Sequence, residues 1–146
     1  MQRRAARIRW GYSLVELILV CAVIGLVSLA GARGLAHHLD RLAVQNAVAE
    51  AATAMARARD EALARHAIVS VRIDTGEATL TLRSRGDRLG RYALGHAHGV
   101  SLSTSRDSLA FDVRGLGYGA ANLTLVARRG AAADTLVVSR LGRVRY

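Results

Sequence analysis

At 146 residues and a net charge of +10, the chain holds one small, strongly basic domain and little more. Its 21 basic residues are all Arg, set against 11 acids, and hydrophobic residues make up 51%, which excludes a disordered polar chain. A single Cys excludes a framework of intrachain disulfides.

The first ten residues, Met1 to Trp10, form a short leader carrying Arg3, Arg4, Arg7 and Arg9 and no acid. Residues 11 to 17 then read Gly-Tyr-Ser-Leu-Val-Glu-Leu, and an apolar run continues to about Ala32. About 20 apolar residues suffice to cross a bilayer as a helix, so 12–32 reads as a membrane-spanning segment. Arginines before the span place the N-terminus in the cytoplasm and export the rest in a single pass. A secretory signal peptide would cleave after an apolar core of about 7–15 residues, and this run is longer. Glu16 is the costly residue here, because a carboxylate in hydrocarbon costs about 2.5–3.5 kcal/mol on insertion scales. Favourable placement in the first helical turn returns only about 0.3–1 kcal/mol, so a cationic partner is expected. Cys21, within the apolar run, reads as a small hydrophobe.

From about Arg33 to His66 the helix continues as an amphipathic one. Leu35, Leu39 and Leu42 share one face, and Val44, Val48, Ala51, Met55 and Ala62 share another, roughly half a turn away. Asn46, Glu50, Arg57, Asp60 and Glu61 lie opposite the second face. The switch near residue 43 suggests a first stripe for neighbouring subunits and a second for the chain's own sheet. A helix from Tyr12 to about Arg65 would be roughly 80 Å long. Removing leader and span leaves about 114 residues, enough for one modest core.

Beyond His66 the period changes to two. Val69, Val71 and Ile73, the turn Asp74-Thr75-Gly76, and Ala78, Leu80 and Leu82 form a β-hairpin signal. Residues 84–91 read as a polar loop. Strands are expected around 92–94, 100–103, 109–113, 123–127 and 136–139, with a last short strand over 143–146. Residues 128–134 read as a loop, with a turn at Leu141-Gly142. The 67–146 segment is thus a β-rich head.

Two features of the head invite a chemical reading. His96 and His98 would share a strand face, but no Cys or close acid completes a metal set, and neither metal nor cofactor is expected. Arg143 and Arg145 flank Val144, so on a strand both guanidiniums leave one face while Val144 turns to the core. Arg140, Arg128 and Arg129 would extend this basic patch, and guanidinium forks suit phosphate oxygens. No nucleophile–base grouping, paired carboxylates or phosphate-binding glycine loop stands out, so the chain reads as a non-enzyme.

The basic leader, Gly11, Tyr12 and Glu16 together resemble the N-terminus of type IV prepilins and type II secretion pseudopilins. In the head, Phe111, Asp112, Arg114, Gly115 and Leu116, followed by Val138, Ser139, Gly142, Arg143, Val144 and Arg145, are similar to the GspH/FimT group of minor pilins and pseudopilins. Residues 83 to 108 lie outside the resemblance. It implies an α+β, pilin-like fold: a long N-terminal helix, membrane-spanning in its first half, packed on an antiparallel β head. It also implies removal of the leader 1–11 by a prepilin peptidase between Gly11 and Tyr12, and N-methylation of Tyr12. Glu16 would then pair with a neighbouring pilin's terminal amine during assembly into a pilus or pseudopilus. For some members tied to DNA uptake, a C-terminal Gly-Arg-x-Arg implies DNA as a partner; Gly142 to Arg145 match it. Many pilins kink the membrane helix at a Pro, which this chain lacks.

Overall fold

The computed structural model describes residues 13–119 and 122–146. It divides into two units, with the boundary between Ala36 and His37. Helix α1, Leu14–Arg65, supplies all the described structure of the first and the packing helix of the second.

In the first unit the helix is apolar all round. Leu14, Val15, Leu17, Ile18, Leu19, Val20, Val23 and Ile24 are all exposed, and nothing among the described residues covers them. A helix of this length and apolarity can cross a membrane.

In the second unit the same helix buries one face. Val44, Ala47, Val48, Ala51, Ala54, Met55, Ala58 and Ala62 are all but inaccessible and belong to one continuous core. Five of those eight are Ala, and the larger apolar side chains of the strands fill the space against them. Leu35, Leu39 and Leu42 are exposed, as the change of stripe near residue 43 anticipates. The helix stops at a left-handed His66 (φ 48°), where the Ala67 amide reaches back to the Ala62 carbonyl (3.3 Å) and the His66 amide to Leu63 (3.4 Å). That is a Schellman end with His where Gly is usual. In the last turn Arg65 Nε donates to Glu61 Oε2 at 2.6 Å and holds the Glu61 carboxyl below its ordinary pKa. The pair therefore helps at pH above the unfolded carboxylate value and is lost as pH falls through the lower, folded one.

The strands are β1 (Val69–Asp74), β2 (Thr79–Ser84), β3 (Asp87–Ala93), β4 (Ser101–Thr104), β5 (Ser108–Phe111), β6 (Gly117–Tyr118), β7 (Leu123–Arg129), β8 (Ala132–Val138) and β9 (Val144–Arg145). A one-turn helix α2, Leu94–His98, follows β3. Two antiparallel sheets result, ordered β3-β2-β1-β5-β6 and β4-β7-β8-β9. Their inward residues, among them Val69, Val71, Leu80, Leu82, Phe111, Leu123, Leu125, Leu136 and Val138, join the helix in the single core. This is the α+β arrangement expected.

Three local expectations are corrected. Residues 84–91 are not a loop: Arg85 and Gly86, both at positive φ (50° and 96°), form a two-residue turn that sends β3 back along β2. β3 is an edge strand rich in polar residues, so it lacks the apolar alternation that marks a strand. Residues 128–134 are likewise strand on both sides of a tight turn, with Arg129 opposite Ala132. The run 92–94 ends in α2, which removes His96 and His98 from a common strand face.

The alanine contact makes a sharp prediction. Ala51→Leu or Ala54→Leu should destabilise the head by roughly 1–3 kcal/mol through overpacking, whereas Leu39→Ala should leave it within about 0.5 kcal/mol. Denaturant titration of the full chain in detergent, followed by circular dichroism of the β signal, measures both.

Candidate functional site

Gly11 and Tyr12 lie outside the described residues. Glu16 lies in the first turn of α1, exposed, with leucines, valines and isoleucine around it. Cys21 is exposed on the same helix.

The two motifs of the head meet each other. After β5, Asp112 Oδ1 accepts the amides of Arg114 (2.9 Å) and Leu116 (2.8 Å), and the Asp112 amide donates to the Leu116 carbonyl (2.8 Å). This closed turn holds Gly115 at φ 70°. After β8, the Ser139 amide donates to the Arg143 carbonyl (2.9 Å), and the Arg143 amide to Ser139 Oγ (3.2 Å), around a buried Gly142 at φ 71°. A Cβ on Gly142 would sit 2.8 Å from the Gly115 carbonyl oxygen and 3.5 Å from the Phe111 ring. One strap joins the turns as well, the Gly117 amide donating to the Arg140 carbonyl (3.0 Å). Beneath both runs the Arg59 side chain from α1. A Cβ on Gly115 would meet its Nε at 3.0 Å, and one on Gly142 its Cδ at 3.7 Å. Arg59 Nε is buried with no hydrogen-bond partner among the described residues. Sequence reading overlooked Arg59, whose only signal was a charge beside the buried Ala58.

The five arginines of the expected patch do not come together. Arg143 and Arg145 are exposed and Val144 packs on the core, as the alternation requires. Arg140 is exposed in the turn before them, its amide held by Asn122 Oδ1 (3.1 Å). Arg128, however, faces Ala133, whereas Arg145 faces Val137. Four residues along β8 place those two arginines about 13 Å apart in the strand direction alone. Arg129 is occupied: its Nε lies 2.9 Å from Asp40 Oδ1, and its Nη1 donates to the His98 carbonyl (2.7 Å). His98 in turn bonds Glu50 through Nε2 at 2.7 Å. These links, with Arg57 donating to the Tyr92 hydroxyl (3.3 Å), fasten α2 and the sheet ends to α1. The Tyr92 bond raises the Arg57 pKa further above its ordinary value. Among the described residues no three His, Cys, Asp or Glu side chains converge as metal ligands.

The sequence model described as "Type II transport protein GspH" matches residues 47–142, the packing half of α1 and nearly the whole head. The chain belongs to the GspH family. A similar full-length relative is the "Pilin-like protein PilA1" of Thermus thermophilus, 32% identical, with 94% of this chain and 97% of the relative covered. In fold the GspH-family head is similar to the type IV minor pilin FimU of Pseudomonas aeruginosa (TM-score 0.59, 18% identity, 70% of this chain and 86% of that one). It is also similar to the minor pseudopilin EpsH of Vibrio cholerae (TM-score 0.57, 16% identity, 70% and 94%). The family and the fold make this a minor pilin or pseudopilin of a type II secretion system or type IV pilus. The GspH match ends at Gly142, so the joined glycine turns lie inside it and Arg143 and Arg145 lie beyond it.

The junction predicts that Gly142→Ala destabilises the head by about 2 kcal/mol or more, since a left-handed conformation and a clash with a carbonyl add together. Arg143→Ala should leave stability within about 0.5 kcal/mol. Thermal melts of the two variants compare them.

Proposed function

We propose that this chain is a non-enzymatic minor subunit of an inner-membrane filament machine, a type II secretion pseudopilus or a type IV pilus. The observation that carries the reading is helix α1. One half is apolar around its whole circumference except for Glu16, and the other half carries a GspH-family head. In this reading residues 1–11 are a leader removed by prepilin peptidase between Gly11 and Tyr12, residues 12–32 anchor the subunit, and the head is periplasmic. The new Tyr12 amine is methylated. Gly11, with no side chain, lets the peptidase approach its carbonyl. Partner pilins supply the cation for Glu16, so a charge that is costly alone sets the register of assembly.

Intact mass of the protein isolated from membranes tests the processing. The expected mass lacks Met1 to Gly11 and carries one methyl group; a mass that keeps the leader refutes it. Gly11→Leu should retain the leader. Glu16→Val should insert into membrane as well as the native chain or better, yet co-purify with partner pilins several-fold less. Undiminished co-purification would leave Glu16 only a helix-end residue.

A second reading, DNA binding for uptake, is favoured by one observation: Arg143 and Arg145 are exposed while Val144 anchors their strand. If each contacts one phosphate, Arg143→Ala with Arg145→Ala should lower the slope of log affinity against log salt by about two units.

A further inference from the structure

The outer face of the five-stranded sheet carries four arginines across three adjacent strands. The register sets Arg88, Arg83, Ser70, Ala110 and Tyr118 side by side across β3, β2, β1, β5 and β6. The neighbouring row is Arg91, Thr81, Arg72 and Ser108. Arg72, Arg83, Arg88 and Arg91 are all exposed. No ion pair reaches any of the four among the described residues; Arg83 donates only to the Gly86 carbonyl (3.2 Å). Asp74 follows Arg72 on the outward side of β1 at the end of the strand, and Asp107 and Asp112 flank β5. Asp74 is turned into its own hairpin, its Oδ1 accepting the amides of Gly76 and Glu77, and Asp87 lies beside the turn at the other end.

This arrangement is unfavourable for the fold alone. Arg83 and Arg88 are direct cross-strand partners, and like charges directly opposite destabilise a sheet. Charges on β3 would protect an edge, but Arg72 and Arg83 stand on interior strands with nothing to protect. Between the arginines stand Ser70, Thr81 and Ser108, short side chains with hydroxyls that let a backbone lie close. The centre of the face is polar, with the exposed apolar side chains Ile68, Val113 and Tyr118 at its margins, whereas protein interfaces are more apolar at the centre. Interfaces for nucleic acid are instead polar and strongly positive, and take most of their hydrogen bonds to phosphate from Arg, Lys, Ser and Thr.

We propose that the outer face of this sheet, through Arg72, Arg83, Arg88 and Arg91, is a surface for the phosphate backbone of nucleic acid. It binds without sequence preference and is separate from the tail arginines. It goes beyond the filament-subunit reading and does not depend on it.

The test titrates the full chain in nonionic detergent with a fluorescent DNA duplex, read by anisotropy at several salt concentrations. The native chain should bind at about 50 mM salt, with log affinity falling linearly against log salt. Replacing all four arginines by Gln should weaken binding at least ~10-fold and reduce the slope by about 3–4 units, while the same four positions as Lys keep most of the slope. Arg143→Gln with Arg145→Gln should remove no more than about two units. No binding by the native chain at that salt, or an unchanged slope in the Gln variant, overturns the proposal. So does equal competition by polyglutamate of matched charge, which would assign the face to an acidic protein. Should the fourfold variant fail to melt cooperatively, Arg72→Gln with Arg91→Gln replaces it, with an expected loss of about two units of slope, and an unchanged slope is again a refutation.

Discussion

The packing of an alanine face against the large apolar side chains of two sheets is the contact on which the head depends. Ala47, Ala51, Ala54, Ala58 and Ala62 are fully buried, and so are the leucines and valines that the strands turn toward them. A small side chain contributes little transfer free energy itself. It lets Leu80, Leu82, Leu125 and Leu136 bury completely, and each such side chain contributes about 1.5–3 kcal/mol. The same helix has the opposite task before residue 37, where large apolar residues face outward on every side. One continuous helix thus carries two side-chain programmes. The first suits a solvent of lipid or neighbouring helices, the second a private core.

The residues by which the family is recognised serve that core. Gly115 and Gly142 let two turns lie against each other above Arg59, where any side chain on Gly142 would strike the Gly115 carbonyl. Asp112 closes the first turn by accepting two amides. A motif that looked like a binding sequence is therefore mostly a packing device, and its arginines project from it because the glycines and Val144 have taken the interior. The buried Nε of Arg59, without a partner among the described residues, is the cost of passing a long cationic stem under that junction, in exchange for its methylene packing.

Much of this was legible in the sequence, for reasons that differ along the chain. The helix faces beyond residue 43 and the β1–β2 hairpin carry strong periodicity in apolar residues, and the structure follows both closely. β3 was not legible because an edge strand with a polar outer face, a bulge and half-buried inward residues has no clean alternation; only the Arg85-Gly86 pair marked it. The Ala131–Ala133 run hid the start of β8 because alanine favours helices and is depleted in strands. The short α2 interrupted what read as a strand and separated His96 from His98. Long-range links such as Arg129–Asp40 and His98–Glu50 join residues far apart in sequence, which no local pattern shows.

Grouping of charges was the least legible property, and the reason is geometric. Arg128 and Arg145 look like one basic tail in the linear sequence, yet the antiparallel pairing of β7, β8 and β9 carries them to different ends of the sheet. Arg72, Arg83, Arg88 and Arg91 are spread over twenty residues and look unremarkable in line, yet two hairpins fold them onto one face. The fold leaves outward positions of a sheet free of packing demands, so what stands there answers to solvent or to a partner. Solvent alone would tolerate mixed charges and would disfavour Arg83 opposite Arg88. Four arginines across three adjacent strands, against Asp74 at the end of β1, therefore favour a partner that repays the repulsion through negative charge spaced along an extended surface.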